Sequence, residues 1–171
     1  MANKSFDATG AQYVWDSTSL KLATTCLRKY QYKMIEGWQP FTKSPHLDFG
    51  SWYATALEHY HKARALAVSH DEALVTVIEE AFISTWLHDR DDEGNRVPET
   101  GGPWVSTDPL KTRENLIRSI VWYLEEFEDD TMSTFILSDG SPAVEHTFRL
   151  PVEDGILFSG HIDRLVNYSG G

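Results

Sequence analysis

Between residues 17 and 128 apolar side chains return at three- and four-residue steps, and after residue 130 they alternate with polar ones, so helices are expected first and strands afterwards. The first helix is expected over 17–34, where Leu20, Leu22, Cys26 and Leu27 follow Asp16-Ser17-Thr18-Ser19, oxygen-bearing side chains able to cap it. Trp52, Ala56, His59 or Tyr60, Ala63 and Leu66 place a second over 48–68. A third, over 71–88, opens with Asp71 and Glu72, carboxylates that the helix dipole favours, and shows Leu74, Ile78 and Phe82 on one face. The fourth, over 109–128, carries the stripe Leu116, Ile120, Leu124 and Phe127. Residues 1–15, 37–45 and 89–110 read as loops, the second punctuated by Gly37, Pro40 and Pro45.

Val144, His146, Phe148 and Leu150 then alternate with Glu145, Thr147 and Arg149, and 156–168 is a second strand rich in β-branched and aromatic residues. Asp154-Gly155 between them is a hairpin turn signal. The fold class is therefore α+β, a helical N-terminal half followed by the first strands of a sheet, within one domain and without internal repeats. A lone two-stranded pair is marginal. Ser169-Gly170-Gly171 is again a turn signal, so a third strand is expected to begin where the sequence stops.

Composition narrows the possible functions. A chain of 171 residues with 41% hydrophobic content, six Trp, seven Tyr and eight Phe can build a packed core. No apolar run is long enough to span a bilayer, and the opening residues have no signal-peptide pattern, so no membrane association and a cytoplasmic location are expected. Cys26 is the only cysteine, which excludes an intrachain disulfide and a four-cysteine zinc or iron–sulfur site within this chain. A formal net charge of −11 argues against loose electrostatic coating of nucleic acid. A metal-dependent nuclease escapes that argument, because its carboxylates hold divalent cations while a local basic strip grips the phosphates. Lys21, Arg28, Lys29 and Lys33 form the densest basic group.

Three segments carry a more specific signal. The first is Ser17-Thr18-Ser19-Leu20 with Cys26-Leu27-Arg28-Lys29-Tyr30-Gln31-Tyr32. The second is Phe49-Gly50 through Ala56-Leu57-Glu58-His59-Tyr60, and the third is Val144-Glu145 followed by Gly160-His161-Ile162-Asp163-Arg164. In order and spacing they resemble RecB-like nucleases of the PD-(D/E)XK superfamily, including a subset common in phage genomes. They are similar, respectively, to the family's serine-rich start with its Cys-Pro-Arg-Lys-Phe-type segment, its Gly-x-x-x-His helix, and its Gly-x-x-Asp-Arg strand. The resemblance implies Mg²⁺- or Mn²⁺-dependent, exonuclease-like hydrolysis of DNA in a bacterial or phage-infected cell, with a helicase or recombination protein as possible partner. It implies Asp163 as catalytic metal ligand, with Glu145 and Glu58 as further metal candidates and Arg28, Lys29 and Lys33 as DNA contacts. Leu27 stands where the family usually has proline, and Ala54 where it usually has a metal-binding histidine. Glu58 is one turn beyond Ala54 on the same helix face, and His59 points about a hundred degrees away, so Glu58 is preferred as substitute. No Lys, Asp or Glu follows Asp163. The family's acid-x-lysine strand is thus missing, and the 171 residues are expected to be the N-terminal part of a RecB-like nuclease domain, inactive alone.

Plainer readings stand beside these. Glu58, His59, His61 and Lys62 also fit the solvated face of a helix, Asp163 with Arg164 a surface pair, and Glu145 a water-facing strand residue. Arg28, Lys29 and Lys33 equally fit helix solubilisers, Cys26 a small buried hydrophobe, and the tryptophans core, with Trp104 the one suspected of stacking on a base. On that view the chain is a non-catalytic DNA- or protein-binding module that kept the nuclease fold.

Overall fold

The computed structural model describes residues 5–42, 44–97 and 100–168, so the expected turn at Ser169-Gly170-Gly171 lies outside the described residues. In chain order the elements are β1 (Val14–Trp15), α1 (Ser17–Thr25), α2 (Leu27–Tyr30), a π-wound turn (Gln31–Ile35), α3 (Pro45–Ala65), α4 (His70–Ser84), β2 (Trp86–Leu87), β3 (Gly102–Pro103), α5 (Arg113–Glu126), β4 (Met132–Thr134), β5 (Val144–Glu153), β6 (Ile156–Arg164) and β7 (Val166–Tyr168). The class is α+β, as the change of hydrophobic period predicts. The chain divides into two compact units, Met1–Thr42 with Glu145–Asp163, and Lys43–Val144 with Arg164–Gly171.

In the first unit β6 is the middle strand of a three-stranded sheet ordered β1-β6-β5. β1, which lies in the stretch expected as loop, pairs parallel with β6 through Val14↔Leu157 and Trp15↔Phe158. Asp154-Gly155 joins β5 to β6, and Gly155 takes a φ of +77° that a side-chain-bearing residue adopts only with strain. Helix α1 starts at a reciprocal cap: Asp16 accepts from the Ser19 N–H at 2.7 Å, and Ser19 Oγ accepts from the Asp16 N–H at 3.0 Å. The single helix expected over 17–34 is broken. Cys26 is extended, at φ −160° and ψ 105°, ending α1 and preceding α2, and it is exposed rather than buried.

The second unit is a helical layer. α3, α4 and α5 bury Ala56, Tyr60, Ala73, Leu74, Val77, Ala81, Leu116, Ile120 and Leu124 against one another. Leu116, Ile120 and Leu124 are almost wholly excluded from water, each worth about 1.5–3 kcal/mol relative to an exposed position. Tyr60, not His59, turns inward, and its hydroxyl bonds the buried His70 ring at 2.8 Å. On α4 the buried stripe runs through Leu74, Val77 and Ala81. It is displaced from the expected Phe82, which lies half in solvent with the Arg113 guanidinium 4.7 Å from its ring centre. Trp104 is buried edge-on against Trp52, with ring centres 4.8 Å apart, which removes it as a base-stacking candidate. The strand expected over 156–168 is two strands: β7 leaves β6 at Leu165 and pairs antiparallel with β4 through Ser133↔Asn167.

Candidate active site

Strand alternation sorts β5 and β6 into a polar and an apolar face. Phe148 and Phe158 meet on the apolar face with ring centres 6.3 Å apart. There a Cβ on Gly160 would lie 2.7 Å from Phe148 Cζ, so the glycine of the Gly-x-x-Asp segment is what lets that ring cross the strand. On the other face Thr147 Oγ1 and His161 Nδ1 are 3.1 Å apart. These contacts set Thr147 across from His161, and two residues further along each strand come Glu145 and Asp163.

Asp163 is exposed near the end of β6, and no hydrogen bond or ion pair engages its carboxylate among the described residues. A strand backbone holds it in place, leaving all its acceptor capacity open to solvent or an ion. Glu145 is half-buried at the start of β5 with a φ of +51°, a left-handed conformation that costs a non-glycine residue about 1–3 kcal/mol and breaks the regular pleat at that point. Thus Glu145 and Asp163 stand on adjacent strands of one sheet. Glu58 is in the other unit, on α3, where its carboxylate accepts from Lys62 Nζ one turn on. His59 is paired with Glu80, and Ala54 presents only a methyl group to solvent.

A magnesium-type cation takes a few carboxylate oxygens and keeps several waters. The donor chemistry of Asp163 with Glu145 fits such a partial shell, while the Glu58 carboxylate is engaged by Lys62 within its own unit. Among the described residues no group of three or more His, Cys, Asp or Glu side chains is gathered as a metal-holding cluster. Neither β5 nor β6 contains a lysine.

Arg28 and Lys29 on α2 and Lys33 in the π-wound turn are exposed, and none has a carboxylate partner among the described residues. Arg164 faces elsewhere. Its guanidinium donates to Thr134 Oγ1 at 3.0 Å and to the Met132 carbonyl at 2.7 Å, with Asp130 at 3.8 Å, so it fastens β4 within the helical unit instead of pairing with Asp163. It lines an open cleft of about 480 Å³ with His61, Arg64, Tyr123 and Asp130. Burial, reinforced by the Arg164 charge and opposed by Asp130, lowers His61 to about 4, so the imidazole is neutral near pH 7. The anchoring by Arg164 and the packing at Gly160 depend on partners about thirty and twelve residues away, and no local pattern signals them.

A family model described as PD-(D/E)XK nuclease superfamily matches residues 17–171. No curated protein and no solved structure matches the chain. No helix among the described residues is long and apolar enough to cross a membrane.

Proposed function

Because the chain belongs to the PD-(D/E)XK nuclease superfamily, we propose that it serves a RecB-like, phage-type, exonuclease-like DNA nuclease using Mg²⁺ or Mn²⁺. The observation that carries this reading is Asp163, an exposed carboxylate without a partner among the described residues, fixed on the central strand of its sheet, with Glu145 on the neighbouring strand. A bound divalent cation supplies polarisation of the phosphate and a lowered pKa for an attacking water. Asp163 offers that cation a rigid oxygen, Glu145 a second, and the Arg28, Lys29 and Lys33 charges position the DNA backbone. Asp163 and Glu145 would hold the cation, but neither β5 nor β6 carries a lysine to orient the attacking water. We therefore infer that an acid-x-lysine pair outside these 171 residues completes the centre, and that this chain alone does not cleave.

The test is Mn²⁺ titration calorimetry together with cleavage of linear duplex and single-stranded DNA, by this chain and by one extended to include such a pair. Metal binding lost in Asp163→Ala, with cleavage only by the longer chain, is the expected result. Robust cleavage by the 171-residue chain would show the catalytic residues to be misplaced. The exposed Ala54 favours a second reading, a non-catalytic binding module, which predicts DNA binding with Mn²⁺ affinity unchanged by Asp163→Ala.

A further inference from the structure

Between Asp16 and Glu36 the chain carries four cations, Lys21, Arg28, Lys29 and Lys33, and no carboxylate, in a molecule whose net charge is −11. Two stacked aromatic pairs join this segment to the residues on either side of it, with opposite fates. Trp15 stacks on Tyr30 with ring centres 5.7 Å apart, its indole N–H donates to the Gln12 carbonyl at 3.1 Å, and Tyr30 bonds the Gln12 side chain. That pair is part of the packing of its unit. Tyr32 and Trp38 stack at 4.9 Å and 20°, but Trp38 is 62% exposed and its indole N–H has no partner among the described residues. One face of the indole lies on Tyr32, and most of the residue is exposed to water.

The backbone holds this pair in place. Gly37, at φ +71°, reverses the chain after the π-wound turn, and the Trp38 N–H reaches back to the Tyr32 carbonyl at 2.8 Å. The bond spans one residue more than the usual helix-ending reversal because the last turn is π-wound, with the Glu36 N–H bonded to the Gln31 carbonyl. Trp38 is thereby returned over the turn that carries Lys33, one helical turn beyond Lys29, while Tyr32 is one turn beyond Arg28.

An exposed indole beside uncompensated cations has the chemistry of a single-stranded nucleic-acid platform: phosphates meet the charges and an unpaired base stacks on the ring. We propose that Trp38, supported from below by Tyr32 and flanked by Arg28, Lys29 and Lys33, is a stacking site for an unpaired base of single-stranded DNA. This deepens the nuclease reading and rests on it for the nucleic-acid ligand. A duplex keeps its bases stacked inside, so the site discriminates strands and not sequences.

The experiment measures fluorescence anisotropy of a labelled oligothymidine, the same oligomer with abasic sites, and a duplex of equal length, with the 171-residue chain in EDTA so that catalysis plays no part. Trp38→Ala is expected to weaken oligothymidine binding about tenfold or more, to leave the abasic and duplex ligands within about twofold, and to leave the salt dependence unchanged. Trp38→Phe, which keeps a ring on Tyr32, is expected to restore most of the affinity and guards against a folding defect in the alanine chain. Equal loss on all three ligands, or none, would overturn the stacking site while leaving the metal titration and cleavage results to stand by themselves. Binding of none of the three by the unaltered chain would overturn the platform together with its nucleic-acid premise. Concentration-dependent self-association abolished by Trp38→Ala, without effect on oligothymidine, would assign the exposed ring to a second copy and also overturn it.

Discussion

A methyl group at Gly160 would come within 2.7 Å of the Phe148 ring, so the first residue of the Gly-x-x-Asp segment answers to a neighbour on the next strand and not to a turn. Gly160→Ala is expected to cost about 1–3 kcal/mol in urea unfolding by overpacking, and Phe148→Leu in the same chain is expected to return part of it. Independent, additive losses would show that the ring can move away freely. His61 makes a second prediction. Its folded value of about 4 is below the ordinary 6.5, so the unfolded chain takes up the proton first. This contribution is fully present above about pH 6.5 and is lost as pH falls through the window toward 4. His61→Gln is expected to flatten the decline in thermal midpoint between about pH 7 and 5. An unchanged decline would place the acid sensitivity at another group.

Helix breaks are decided one scale higher. Leu27 stands where the resembling nucleases usually have proline, yet the chain still breaks as if proline were there, because Cys26 is extended at φ −160° and ψ 105° and α2 begins at Leu27. Proline requires an extended residue before it and tolerates the first helical position, where the N–H has no intrahelical acceptor. Leu27→Pro is accordingly expected to be neutral or to stabilise by up to about 1 kcal/mol through the unfolded chain, whereas Gln31→Pro, which removes the N–H bonded to the Leu27 carbonyl, is expected to cost about 3 kcal/mol or more. Paired urea midpoints decide it; a large loss in Leu27→Pro would mean that the Leu27 side chain is needed in place. The break was illegible in the sequence because the apolar spacing continues across Cys26. The long helices were legible, since Leu116, Ile120 and Leu124 repeat without interruption and are buried as spaced. β1 and β4 were missed because strands of two and three residues carry too little alternation, and their partners Leu157 and Asn167 are distant in sequence.

At the scale of the whole molecule the matter is how an acidic chain meets a polyanion. The place of Asp163 on a strand is legible from the β-rich run around it, but the motif gives no notice that Arg164 turns to Thr134 and Met132. Glu58 follows from helix geometry alone, and its pairing with Lys62 is of the kind that the four-residue spacing between them foretells. In the basic segment the charges are plain from composition, and the structure adds that Arg28, Lys29 and Lys33 are exposed and unpaired among the described residues, the state in which a cation is available to phosphate. If so, each such contact releases condensed counterions, and the logarithm of affinity falls with the logarithm of salt in proportion to the number of contacts. Arg28→Ala with Lys29→Ala is expected to reduce that slope by about one to two and to weaken duplex and single-stranded DNA alike, because phosphates are common to both. The net charge becomes more negative by two in the same variant, so Lys111→Ala with Arg118→Ala, cations outside this segment, is the control for a general charge effect. A slope lowered equally by both variants would assign it to the overall charge of the protein, and a slope unchanged by either would return Arg28 and Lys29 to keeping the helix soluble.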